Sequence, residues 1–251
     1  MTSYIKIKFF NHVVRIKFFD EKKNSFTSEQ LENLKNTITD LENNPEITVI
    51  ILESEGNSVF CSGASFDELL AVSNAEQGKS FFSGFANVIL AMKNSSKLII
   101  GNVKGKAIGG GVGLIAACDY VLATNNASLK LSELAIGIGP FVIEPAVSKK
   151  IGKTAMAELA LNPTEWKTAE WALQKGLYSE VFNHATDLEN YLSSYAQALS
   201  LYNPEALLEM KKILWENTTD WETLLAQRAA ISGKLVLSEF TKNALQKFKN
   251  K

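Results

Sequence analysis

Three short apolar runs, ITVIILE (47–53), KLIIGNV (97–103) and DYVLAT (119–124), alternate with stretches of helical spacing. Continuous apolar runs suit strands covered on both faces, and strands that alternate with helices imply crossover connections. The pattern therefore confines the front of the chain to an α/β core with a largely parallel sheet. A hairpin precedes it: Tyr4, Ile5, Ile7 and Phe9 lead in, Asn11-His12 turns, and Val13, Ile16 and Phe18 lead out. Thr27-Ser28-Glu29-Gln30 is a capping box for a helix carrying Leu31, Leu34, Ile38 and Leu41. From about Phe141 onward strand signals disappear. Helical stretches are predicted at 142–152, 154–161, 165–175, 187–201, 203–215 and 219–248.

Composition removes several function classes. With 26 basic and 27 acidic residues the net charge is −1, so nothing draws the chain as a whole to nucleic acid or an anionic membrane. Cys61 and Cys118 stand alone in apolar surroundings and read as buried free thiols. With only two histidines, His12 and His184, and no paired ligand spacing, no metal site is expected. No apolar run approaches a membrane span, and the opening MTSYIKIKFF has no secretory core, so a cytoplasmic protein is the expectation.

Gly109, Gly110 and Gly111 in KGKAIGGGVGL (104–114) need a reason, because consecutive glycines weaken any regular element. A phosphate loop would need Gly-x4-Gly-Lys-Ser/Thr, which is absent. A dinucleotide fingerprint would need glycine where Leu114 stands. The alternative is a bare helix N-terminus whose free N–H and dipole stabilise an anionic oxygen. A second donor is available from the turn in CSGAS (61–65), which also follows a strand and precedes a helix.

These two glycine turns, with the acidic residue in SLKLSELAIGIG (128–139), resemble the crotonase superfamily, the enoyl-CoA hydratase/isomerase family. The resemblance runs from Lys6 to the C-terminal helix. It implies a crotonase-like spiral of ββα units over residues 1–190 and a helical trimerisation or lid region over 191–251. It further implies an acyl-CoA thioester as substrate, with coenzyme A part of that substrate rather than a separate cofactor, and a homotrimer or dimer of trimers.

Carried over by motif position, the backbone N–H groups of Ala64 and Gly110 would hold the thioester oxygen, and Glu133 would move the proton. Ser62, Gly63, Ser65, Gly109 and Phe141 would line the substrate, and Lys23, Lys247 and Lys249 would meet the CoA phosphates. The family's hydratases place a second glutamate three residues beyond the donor glycine, where this chain has Gly113. Phe141 stands where those enzymes have glycine, and Glu144 is a candidate second acid or an ordinary first-turn glutamate. One carboxylate suffices to move a proton from C2 to C4, so the expectation leans to 3-enoyl-CoA to 2-enoyl-CoA isomerisation. A hydratase, including one for branched-chain substrates, a decarboxylase or dehydratase, and a non-catalytic acyl-CoA-binding protein are the alternatives.

Overall fold

A computed structural model describes the backbone of residues 3–249 and the side chains of residues 3–247. Strands β1 (Tyr4–Phe10) and β2 (Val13–Phe19) form the expected antiparallel hairpin, turning at Asn11 with φ 51°. Helix α1 (Ser28–Asp40) begins at the capping box: Gln30 N–H donates to Thr27 Oγ1 (3.1 Å), and Gln30 Oε1 accepts from Thr27 N–H (3.4 Å). The apolar stripe of Leu31, Leu34 and Ile38 is buried, as its spacing requires.

Three ββα units then follow. In each, a long strand enters one sheet, a short strand enters another, and a helix returns. The first contains β3 (Val49–Ser54), β4 (Val59–Cys61), α2 (Phe66–Ala71) and α3 (Ala75–Asn94). The second contains β5 (Leu98–Val103), β6 (Lys106–Ile108) and α4 (Gly110–Ala117). In the third, β7 (Tyr120–Thr124) and β8 (Leu129–Lys130) lead through a 3-10 turn (Glu133–Ile136) to α5 (Glu144–Leu161). There follow α6 (Ala169–Gln174), β9 (Glu180–Phe182), α7 (Ala185–Ser200), α8 (Pro204–Leu214), α9 (Trp221–Leu235) and α10 (Glu239–Lys249).

The six-stranded sheet has the order β1-β2-β3-β5-β7-β9, and every pair except β1–β2 is parallel. The three-stranded sheet is β4-β6-β8, also parallel. This arrangement is a crotonase-type spiral, and it determines the site's location. The three short strands lie side by side, so the turns leaving them, at 62–65, at 109–110 and at 131–133, come out together.

Two sequence expectations need correction. Strand structure does not end at Phe141, because Glu180–Phe182 pairs with β7 (Val181 opposite Ala123) and closes the long sheet. The helix predicted over 219–248 breaks between Leu235 and Glu239. The expected segments 142–152 and 154–161 are there as the two helical stretches of α5, which meet at Gly152, whose φ of 75° and ψ of 162° are non-helical.

The main core lies between the long sheet and α1, α3, α4 and α5. On the sheet's opposite face, Leu188, Leu192 and Ala196 of α7 pack against Val49, Ile51, Ile100 and Leu122. Helix α7 is pinned further by Glu189, which accepts from Arg15 Nη1 (2.8 Å), Asn102 Nδ2 (2.9 Å) and Lys104 Nζ (3.1 Å).

The C-terminal helices are joined to the core by specific contacts. Buried Lys211 on α8 pairs with buried Asp119 (3.0 Å) and donates to the carbonyls of Met92 and Lys97. A buried ion pair needs such extra partners to offset its desolvation. Helix α9 crosses α3 where Gly78 faces Gly233, and a Cβ built on Gly78 would lie 2.6 Å from the Gly233 carbonyl oxygen. Among the described residues, no helix is long and apolar enough to cross a membrane.

Candidate active site

The turn after β4 is held by a short parallel bridge to Phe26. Phe26 N–H donates to Gly63 O (2.9 Å) and Ser65 N–H donates to Phe26 O (2.7 Å). Gly63 adopts φ 94°, a backbone region that side chains rarely enter. Ala64 is left between two bonded residues, and its own N–H has no hydrogen bond among the described residues.

The turn after β6 is the counterpart. Gly109 takes φ 55° and ψ −120° as the N-cap of α4, and its N–H donates to Lys130 O (3.1 Å). Gly110 N–H, first in the helix, likewise has no hydrogen bond among the described residues, and it sits at the positive end of the helix dipole. The two turns touch, since a Cβ built on Gly63 would lie 3.8 Å from Gly110 N and 3.3 Å from Ile108 O. Phe85 of α3 packs directly on Gly110, where any Cβ would come within 2.4 Å of its ring. The triple glycine therefore follows from close approach: Gly109 from its dihedrals, Gly110 from Phe85, and Gly111 from Cys61, which its Cβ would meet at 2.7 Å.

Glu133 opens the 3-10 turn after β8 and lies against Gly109. A Cβ there would be 2.9 Å from its Oε1. The residue is half-buried, but Oε2 is shut from solvent and has no hydrogen-bond partner. Desolvation raises its carboxyl to about pKa 7, only partly offset by its own backbone N–H. A carboxylate in that range can both accept and return a proton near neutrality.

Ala64, Gly110 and Glu133 share one cavity of about 170 Å³, otherwise walled mainly by Phe66, Leu69, Phe81, Phe85, Val142 and Ile143. Ser62, Gly63 and Gly109 are also in its wall. Ser65 is instead the buried N-cap of α2, accepting from Glu68 N–H (3.4 Å). Phe141 packs its ring over Gly139 rather than joining the cavity wall.

Glu144 is not brought to the cavity. It accepts from Ser148 Oγ (2.6 Å), pairs with Lys153, and lies 3.8 Å from Arg228 Nη2. Burial alone would raise its carboxyl, but the bonds from Lys153 and Ser148 outweigh that and hold it below the usual range. Gly113 faces Ile143, and a Cβ built on it would lie 2.3 Å from Ile143 Cγ2. The space where a second glutamate would stand is filled by hydrocarbon.

Lys23 is exposed, with φ 58°, in the turn before α1, and Lys247 is exposed on α10. The side chain of Lys249 lies outside the described residues. Sequence reasoning missed Ser232 of α9, which is in the cavity wall, and the packing roles of Phe85 and Ile143. The adjacent pair Ser232-Gly233 was the available signal for a close helix crossing.

The crotonase-type spiral has counterparts in known proteins. The chain belongs to the enoyl-CoA hydratase/isomerase family, whose family model matches residues 8–251. It is 27% identical over 232 residues to a short-chain-enoyl-CoA hydratase of Clostridium acetobutylicum, covering 90% of this chain and 86% of that protein. It is 29% identical over 192 residues to a peroxisomal Delta(3,5)-Delta(2,4)-dienoyl-CoA isomerase of Arabidopsis thaliana, covering 70% and 67%. In fold it matches the crystal structure of an enoyl-CoA hydratase from Bacillus halodurans, with a TM-score of 0.89 at 24% identity over 98% of this chain and 100% of that one.

Proposed function

We propose that the protein is a single-carboxylate isomerase that converts 3-enoyl-CoA to 2-enoyl-CoA. The observation that carries this reading is the packing of Ile143 on Gly113, which leaves Glu133 as the one carboxylate in the cavity wall among the described residues. Addition of water in this family relies on two carboxylates around one water, and here the second position is hydrocarbon.

The reaction balances with Glu133 alone. Its carboxylate removes a proton from C2, and the electrons move through the thioester carbonyl to give a dienolate. The N–H groups of Ala64 and Gly110 stabilise the oxygen as its charge grows, an interaction worth a few kcal/mol per donor in a dry site. Glu133 then returns the proton at C4, leaving the double bond between C2 and C3. The apolar walls keep water from competing for the dienolate.

The purified protein, offered 3-enoyl-CoA and 2-enoyl-CoA thioesters separately, should isomerise the first at least a hundredfold faster than it hydrates the second. Comparable or faster hydration would overturn the reading, and so would tight binding of both without turnover. The pH profile is a second check. Because burial raises the Glu133 carboxyl to about 7, the base is protonated below that point. kcat/KM should rise about tenfold per pH unit up to pH 7 and level off above it. A profile flat from pH 5 to 8 would remove Glu133 as the base.

A further inference from the structure

Ser232 is a polar residue for which the proposed chemistry has no use. It is 1% exposed, it lies in the wall of the Glu133 cavity, and its Oγ has no hydrogen-bond partner among the described residues. A buried hydroxyl without a partner is unfavourable, and a bound ligand is one way to satisfy it.

Its place along the cavity follows from helix α3. Phe85 packs on Gly110, and Gly78, seven residues earlier, packs on Gly233 next to Ser232. At 1.5 Å per residue those two contacts are separated by about 10 Å along the helix. Phe81 lies between them and is also in the wall. The donor pair therefore stands at one end of a short apolar lane and Ser232 at the other. No Lys, Arg or His is in that wall among the described residues, so the lane has no cation to meet a carboxylate.

We infer that Ser232 is a specificity-determining residue that binds a neutral oxygen, a hydroxyl or oxo group, at the far end of a short acyl chain. The inference rests on the reading of this cavity as an acyl-thioester site. The close Gly78–Gly233 contact holds α9, and with it Ser232, against the cavity.

The test is a substrate ratio. A short straight-chain 3-enoyl-CoA is compared with the same chain bearing a hydroxyl, an oxo group or a carboxylate at its far end. The wild-type protein should favour the hydroxyl or oxo chain over the alkyl chain in kcat/KM, and Ser232→Ala should reduce that ratio about tenfold or more. Ser232→Thr, which keeps the hydroxyl, should retain more of the ratio than Ser232→Ala. A ratio unchanged in Ser232→Ala, or a wild-type preference for alkyl or carboxylate chains, overturns the inference.

Calorimetric binding of the saturated thioesters gives the same ratio without turnover. If no enoyl thioester reacts but the hydroxy-acyl preference persists and depends on Ser232, the isomerase reading fails and this inference stands. If isomerisation is observed with no dependence of the ratio on Ser232, the reverse holds.

Discussion

Glu133→Gln should lower isomerase turnover by about a thousandfold or more while leaving affinity for a saturated acyl-CoA within about threefold, since general base catalysis contributes on that scale. The amide keeps the shape of the side chain and removes the base. The same substitution should change stability in a pH-dependent way. Burial raises the Glu133 carboxyl from an ordinary value near 4.5 to about 7 in the folded protein. Below 4.5 the group is protonated in both folded and unfolded chains. Between 4.5 and 7 the unfolded chain releases the proton and the folded one retains it, so stability falls as pH rises. Above 7 the full penalty applies. At 1.36 kcal/mol per pH unit it is about 3 kcal/mol, an upper value for a residue that is half-buried as a whole. In urea denaturation, Glu133→Gln should therefore exceed the wild type by about 1–3 kcal/mol at pH 8, with the gap closing toward pH 4.5. Unchanged turnover would take Glu133 out of the mechanism, and a gap independent of pH would mean that its carboxylate is not desolvated.

The second large effect is expected where α3 and α9 cross. A Cβ on Gly233 would lie 2.4 Å from Lys79 N, and one on Gly78 would lie 2.6 Å from Gly233 O. Both obstacles are backbone, which cannot rotate aside. Alanine at either position gains up to about 1 kcal/mol of helix propensity. Overpacking of this kind costs about 3 kcal/mol or more when only a helix shift can relieve it. Gly78→Ala and Gly233→Ala should each lose about 2 kcal/mol or more net, and the widened cavity should lower kcat/KM about tenfold. Gly84→Ala on the same helix is the contrast. There the nearest atom, at 2.7 Å, is the flexible Leu31 Cδ1, so the change should stay within about 1 kcal/mol. Equal losses at all three positions, measured by urea denaturation, would show that the backbone crossing does not set the cost.

How much was legible in the sequence varied with the range of the interactions involved. The hairpin, the capping box at Thr27 and the strands around Ile50, Ile100 and Leu122 are written in local spacing, and the structure has them. The two donor turns were legible because glycine marks positive φ and close approach directly, as at Gly63 and Gly109. Strand β9 was not, because it has three half-buried residues with no alternation and exists by pairing with β7 more than fifty residues earlier. The junction at Gly152 was legible: the two helical segments expected on either side of it are there, with Gly152 at φ 75° and ψ 162° between them. Glu144 showed the limit for side chains: sequence left it between acid and first-turn glutamate, and its partners Lys153 and Arg228 lie nine and 84 residues away. Ser232 was missed for the same reason, the Ser232-Gly233 pair signalling a close crossing but not the helix it crosses. Its significance comes from Gly78, a residue in a helix that sequence gives no cause to place beside it.

Helices α9 and α10 close over the turns of their own chain: Ser232 enters the cavity wall, and Phe240 and Thr241 pack on Gly137, just past the 3-10 turn that carries Glu133. Between them lies the break at Val236–Ser238, with Val236 buried in an apolar cluster. Any parting of cover and turns to admit a thioester is then a rearrangement within one polypeptide. Its rate constant would be first order.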